Sequence, residues 1–244
     1  MPNSLKPNAI WSPAKTVAWF GAIFAVDFLV QSSIVVLATV FAVAHSGGKS
    51  DVGLLVNSMI HDGQVFISAA LASAVLVITS ITVLTHRKSG SVFRYLAIRP
   101  ISFISGISWL LVGLLFSVVQ IAIFTLCGLP SSDFWHGIYL SAWLKPFLFV
   151  VMVIAAPAAE EVMYRGFLFR GLLATRLGAP GAVVITSLAW ATAHMQYNLW
   201  ERGAIFTLGL LLGTLRQNRH SLTIPFLIHA GVNATGFFLI MSGF

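Results

Sequence analysis

Glu160 and Glu161 stand side by side in AAPAAEEVMYRGFLF, a stretch otherwise almost free of charge. Two of the chain's seven acidic residues therefore sit where an ionised side chain is expensive. An ionisable group inside a membrane span costs about 3 kcal/mol or more and marks a functional position. The same anomaly recurs downstream, at His194 in SLAWATAHM and at His229 and Asn233 in PFLIHAGVN. A carboxylate, two imidazoles and a carboxamide are what hydrolysis by activated water requires. They supply a base, groups that polarise water, and a donor for a developing oxyanion.

These side chains need membrane helices to position them. The chain has 244 residues, 58% hydrophobic and 9% charged, with a mean hydropathy of +0.92. A soluble domain is about 25% charged, and apolar runs of 18 or more residues read as transmembrane helices. Seven spans are predicted, near 17–44, 64–85, 102–128, from Trp143 onward, 180–199, 203–216 and 221–241. An eighth follows if 161–177 is a separate helix. The fold class is thus all-α, a polytopic transmembrane bundle of about seven to eight helices. It forms one integral membrane domain over 1–244, with the chemistry confined to 143–241. The N-terminal apolar stretch, Val17 to Ala44, is too long for a signal-peptide core. Cys127, the single cysteine, excludes an intrachain disulfide or a thiolate metal cluster and reads as a small buried residue.

The net charge of +7 does not point to nucleic acid, because the basic residues are scattered over loops between apolar spans. With the N-terminus in the cytoplasm and alternating spans, the inside holds Lys6, Lys15, Arg87, Lys88, Arg94, Arg99, Arg165, Arg170, Arg176, Arg216 and Arg219. The outside holds Lys49, Lys145 and Arg202. Eleven against three is the bias of a multi-pass protein of the cytoplasmic membrane. The basic loop 87–99 is explained by orientation and contact with anionic lipid.

Depth brings the polar residues together. No proline interrupts EEVMYRGFLFRGLLATR, so the fourth helix is expected to run on to about Thr175. At 1.5 Å per residue, Glu160 lies about 22 Å from that inner end; His194 lies about 22 Å, His229 about 12 Å and Asn233 about 18 Å from the same side. Glu161 and Arg165 are one turn apart and can form a structural ion pair. Glu160 points about 100° away around the helix and is left free as the base. His229 and Asn233 share a face. GLLLG, with Gly209 and Gly213, is a small-xxx-small pair that permits close helix approach or is ordinary membrane-helix glycine. Asp27, with Gln31 one turn on, is expected to make a polar interhelical contact or to line a cavity. His45, His61, His86, His136 and His220 fall in loops or at span ends.

Other hydrolytic chemistries lack their residues. There is no HExxH helix. Only Asp27 among the aspartates lies within a span, so an aspartyl pair is missing. No serine sits in a GxSxG turn. Hydrolysis by activated water remains. A non-catalytic reading, a membrane immunity or scaffold protein holding a peptide or partner in the same cavity, stands beside it. A proton-coupled transporter is disfavoured, since no repeats or broken helices are evident.

At these residues the chain resembles the type II CAAX prenyl protease and bacteriocin-processing family, the CPBP or ABI family of intramembrane proteases. EExxxR appears as Glu160-Glu161-Val-Met-Tyr-Arg165, FxxxH as Trp190-Ala-Thr-Ala-His194, and HxxxN as His229-Ala-Gly-Val-Asn233. The likeness covers about 143–240, the protease core. Trp190 stands where the pattern has Phe. The resemblance implies an intramembrane metalloendopeptidase in which Glu160 activates water and His194, His229 and Asn233 complete the site, supported by Glu161, Arg165 and Trp190. Glu160, His194, His229 and Asn233 are donors that Zn²⁺ accepts, and the same set can activate water without a metal; both stay open. The implied partners are membrane lipids and a peptide or protein substrate, lipidated in the CAAX case. Natural substrate and oligomeric state are not legible.

Overall fold

The computed structural model describes residues 10–47 and 51–243, all-helical in its regular structure. Lys6 and Lys49 of the charge count lie outside the described residues. Among the described residues ten helices follow one another: α1 (Pro13–His45), α2 (Val52–Ile60), α3 (Gly63–Ser89), α4 (Val92–Leu96), α5 (Phe103–Leu126), α6 (Phe134–Ser141), α7 (Lys145–Leu172), α8 (Gly178–Ala193), α9 (Leu199–Arg219) and α10 (Thr223–Ser242). Five of them, α1, α3, α5, α7 and α10, are long and apolar enough to cross a membrane. Helix α8 is apolar but spans only 16 residues.

The seven expected spans correspond to α1, α3, α5, α7, α8, α9 and α10. The segment 161–177 is not a helix of its own, because α7 runs unbroken from Lys145 to Leu172. Helix α9 begins earlier and ends later than the 203–216 expected for it. Asn198 caps the backbone N–H groups of Trp200 and Glu201, Glu201 bonds back to the Asn198 N–H, and this capping box starts the helix at Leu199. Its charged ends, with Glu201 and Arg202 at one and Arg216 and Arg219 at the other, hide it from a hydropathy scan. The short helices α2, α4 and α6 lie between the long ones and lack any period long enough to announce them. Cys127 is exposed rather than buried, at the C-cap of α5.

Two contact zones draw the core together, since in lipid close backbone packing must do what hydrophobic exclusion does in water. Helices α5 and α10 cross at Gly113 and Gly231. A Cβ at Gly231 would stand 2.6 Å from the Leu110 carbonyl, and one at Gly113 would stand 2.3 Å from that of Ile228. Helices α8 and α9 meet at the GLLLG pair, where a Cβ at Gly209 would stand 2.8 Å from Ser187 Cβ and one at Gly213 would stand 3.1 Å from Val183. Helix α1 lies against α3 and reaches the end of α7, where Thr16 fills the space a side chain at Gly171 would need.

The connections gather at two opposite ends. At one, Arg170 donates to the Tyr95 carbonyl, the Leu222 N–H to that of Ala97, and Thr223 bonds Arg99. At the other, Ser141 joins His61 and Gly63, and Glu201 accepts from Ser132. These are the two sets of loops that alternating spans require.

The Gly113–Gly231 crossing gives a direct test. Gly231→Ala drives a methyl into backbone and is expected to destabilise the protein by about 1–3 kcal/mol. Gly236→Ala, on the same helix with nothing within 4 Å of its Cβ, is expected to be neutral. Thermal unfolding of both variants in detergent reads the difference, and equal midpoints would refute the crossing.

Candidate active site

The arrangement starts with α7, which is not a plain α-helix. Residues Val151–Ala155 and Glu161–Leu168 are wound as π-helix. Pro157, between them, explains the first. Proline has no N–H and its ring crowds the carbonyl four residues back. In the π register the Ala156 N–H bonds to the Val151 carbonyl, so the Met152 carbonyl loses its α partner, and its π partner would be Pro157. Asn233 of α10 supplies the missing donor, Nδ2 to the Met152 carbonyl at 2.9 Å. A backbone acceptor that would be orphaned in lipid is satisfied from a neighbouring helix.

Beyond Pro157 come the two glutamates, and their surroundings differ. Glu161 is 1% exposed and Arg165 is 0% exposed. Their expected ion pair is present, Nη1 to Oε1 at 2.9 Å. The same Oε1 accepts from Nδ1 of His229 on α10 at 3.1 Å. Facing a carboxylate, Nδ1 is the protonated nitrogen of a neutral His229 ring, and in that form Nε2 is an acceptor. Glu160 keeps 29% of its side chain exposed and lines the cavity described below. Its Oε2 accepts the indole N–H of Trp190 at 2.5 Å and stands 4.0 Å from His229 Nε2.

Trp190, 2% exposed on α8, is the hub. Arg165 lies over its ring at 4.2 Å. The imidazoles of His229 and His194 pack against it edge to face, with centroids at 5.0 and 5.4 Å. His194 caps α8 rather than sitting inside a span. Its Nδ1 bonds to the Trp190 carbonyl at 2.8 Å, one of the carbonyls a helix end leaves free. Tyr197 stacks on His194 at 5.9 Å and accepts from the Trp135 indole. Burial pushes the Tyr197 phenol above its ordinary range, so it stays neutral.

Glu160, His194, His229 and Asn233 all border one cavity of about 1850 Å³. The cavity reaches the end of the bundle formed by residues 128–135 and 194–201. Of the four, Glu160 and His229 approach each other directly; His194 joins through Trp190, and Asn233 through the Met152 carbonyl. Asp27 and Gln31 border the cavity too, but their mutual bond, Nε2 to Oδ2 at 2.8 Å, lies within α1 rather than between helices. Sequence reasoning missed the Glu161–His229 bond and the Trp190–Glu160 bond. Neither leaves a signal, because the partners are 68 and 30 residues apart.

As arranged here, the donors do not fit a zinc ion. Tetrahedral bonds of 2.0–2.1 Å put neighbouring donor atoms about 3.4 Å apart, closer than the 4.0 Å between Glu160 Oε2 and His229 Nε2. Among the described residues, no group of three His, Cys, Asp or Glu side chains is placed to hold a metal. A water fits the gap, because two hydrogen bonds of about 2.8 Å span it at an angle near 90°.

A helical membrane protein with a buried carboxylate–imidazole network along one irregular helix is the class this geometry defines. Residues 141–235, from the end of α6 into α10, match the family model of Rce1-like type II CAAX prenyl endopeptidases. No curated protein and no solved structure matches the chain.

Two variants separate the glutamates. Glu161→Gln leaves the Arg165 charge buried without its counter-ion, which costs about 3–5 kcal/mol, whereas Glu160→Gln is expected to unfold within a degree or two of the parent in a thermal scan. Similar losses for both would refute the division of labour. The Asn233 clasp is tested by a cycle. Asn233→Ala orphans the Met152 carbonyl, at about 1–3 kcal/mol, and Pro157→Ala, which restores a backbone N–H, is expected to recover most of that loss. Strict additivity of the two stability changes would refute the clasp.

Proposed function

We propose that the protein is an endopeptidase of the cytoplasmic membrane that hydrolyses a peptide bond with a water held between Glu160 and His229, without a metal. The observation that carries this reading is the 4.0 Å separation of two acceptors, Glu160 Oε2 and His229 Nε2. Both accept, so a water between them donates both of its hydrogens and turns its lone pairs toward the cavity. The match of residues 141–235 to a protease family model supports the same reaction class.

Glu160 takes one proton as the water oxygen attacks the carbonyl carbon. The C–O bond forms and the carbonyl π pair moves to oxygen. The second amide hydrogen of Asn233, the one not given to Met152, donates to that oxyanion. Glu160 then passes its proton to the amide nitrogen, the C–N bond breaks, and an amine and a carboxylic acid leave. His194, with Nδ1 engaged, presents Nε2 as an acceptor for a peptide N–H. Glu161 and Arg165 do not touch substrate; they hold the His229 ring and its tautomer.

Cavity size and wall favour a peptide with an apolar attachment. Ligand pockets run to about 1,000 Å³, and this one is close to twice that, with Phe20, Phe24, Phe28, Phe66 and Phe124 on its wall. A lipidated segment fits such a space. The Lys and Arg distribution favours a cytoplasmic N-terminus.

Glu160→Gln is expected to abolish cleavage of a farnesylated CAAX reporter peptide in detergent, while the variant still inserts and unfolds like the parent. Zinc well below one equivalent in the purified protein, and activity that survives 1,10-phenanthroline, are expected in the same assay. Unchanged cleavage by Glu160→Gln would refute the proposed base. Activity lost to the chelator and restored by Zn²⁺ would refute the metal-free water. If the variant cleaves nothing and the parent cleaves nothing, membrane proteomes carrying each protein replace the reporter, and identical proteomes favour the non-catalytic peptide-holding reading.

A further inference from the structure

We infer that Trp190 is a positioning residue for the base: its indole N–H holds Oε2 of Glu160 and so aims the remaining lone pairs of that carboxylate at the gap facing His229. The inference rests on the proposed role of Glu160.

Of the two glutamates, Glu160 is the one that no charged group clamps. Glu161 has Arg165 and His229; Glu160 has the Trp190 N–H at 2.5 Å and, among the described residues, no other hydrogen-bond donor. A flexible side chain that is 29% exposed to a large cavity samples several rotamers unless something fixes it. One carboxylate oxygen held by a rigid donor leaves a single swing, about the Cδ–Oε2 direction, and three lone-pair sites for water.

The indole is itself immobilised. It is 2% exposed, gripped edge-on by His194 and His229 and covered by Arg165 at 4.2 Å. The cation does more than pack. A guanidinium over the ring draws electron density from the indole and strengthens its N–H as a donor, so Arg165 reaches Glu160 through Trp190 without touching it. Two guanidinium nitrogens of Arg165, Nε and Nη2, find no hydrogen-bond partner, which leaves the ring face as the principal compensation on that side. Phenylalanine at this position would keep an aromatic face for Arg165 but has no N–H for Glu160.

Two measurements test this, one of them free of any substrate. The chain has seven tryptophans, and the full-length protein labelled with ¹⁵N-indole in detergent micelles is expected to show one indole proton well downfield of the others. Trp190→Phe assigns it by its loss, and Glu160→Gln moves it upfield into the range of the rest. A Trp190 resonance that does not respond to Glu160→Gln overturns the inference, whatever the peptidase assay shows.

The second measurement is steady-state cleavage of the farnesylated CAAX reporter. Replacing Trp190 with 3-benzothienylalanine, which keeps the bicyclic shape and puts sulfur where the N–H was, is expected to lower kcat about ten- to hundred-fold with KM little changed, as loss of one charge-assisted bond predicts. Trp190→Phe should match it. A parent-like kcat in the isostere, with only Trp190→Phe impaired, would show that shape alone matters and overturn the positioning role. If the resonance responds but the parent cleaves no peptide, the contact stands and the endopeptidase reading is what fails.

Discussion

Arg165 is a permanent cation with no solvent exposure, carried on a helix that crosses the bilayer. An isolated charge in such a place costs far more than a single helix can recover. The surrounding helices are arranged around removing that cost. Glu161, one turn back, supplies the opposite charge. Trp190 supplies a π face from α8. The backbone carbonyl of Arg165 is met by Arg216 from α9, with Nε at 3.1 Å. Two helices, α8 and α9, are thereby tied to one turn of α7, and α10 is added when His229 shares the Glu161 oxygen. The site is therefore a by-product of neutralisation. Once Arg165 is satisfied, the groups satisfying it have only their second functions left to offer, an imidazole nitrogen and an indole N–H, and both turn toward Glu160.

The adjacency of the two glutamates follows from that division. Neighbouring side chains on a helix diverge by about 100°, so one can face the interior network while the other faces the cavity. A single glutamate could not be both the fixed counter-ion of Arg165 and a carboxylate free to exchange a proton with water. The π-wound turns serve the same end. Regular α winding across Pro157 is sterically and electronically denied, and π turns are tolerated where a neighbouring group repairs the backbone. Asn233 makes that repair, which fixes α10 against α7 within two turns of Glu160 and, one turn along α10, sets the height of His229.

Much of this was legible in the sequence because burying charge in an apolar run is rare enough to read. Glu160, Glu161, Arg165, His194, His229 and Asn233 all stood out by polarity against their neighbours, and the i, i+4 spacing announced the ion pair. The seven long helices were legible for the same reason, with α9 truncated because its ends are charged. What was not legible is whatever depends on which way a helix is turned. The bond between His229 and Glu161 needs α10 to present one face to α7. That face is set by the Gly113–Gly231 crossing with α5, where no polar residue calls attention to itself. Trp190 was read as an aromatic standing where the family pattern has Phe, since such a pattern does not record an N–H. Asn233 was read as a donor for chemistry, and half of its donating capacity proves to be spent on Met152. Its partner, a carbonyl stripped of its N–H by a proline five residues on, becomes visible only when the helix is known to be π-wound there.

The distribution of acceptors decides what the site can activate. Around the gap, Glu160 offers carboxylate oxygens, and a neutral His229 ring offers Nε2, because the bond to Glu161 places the proton of that form on Nδ1. Two acceptors facing each other at 4.0 Å oppose their lone pairs in a medium of low dielectric. A molecule that donates two hydrogens and presents lone pairs outward relieves it, and water is the smallest that does. The same reasoning bears on the absence of lysine and arginine beside Glu160 among the described residues: a cation there would hold the carboxylate as tightly as Arg165 holds Glu161 and take away the freedom that the proposed base requires. The indole N–H occupies the middle ground, strong enough to orient a carboxylate and too weak to neutralise it.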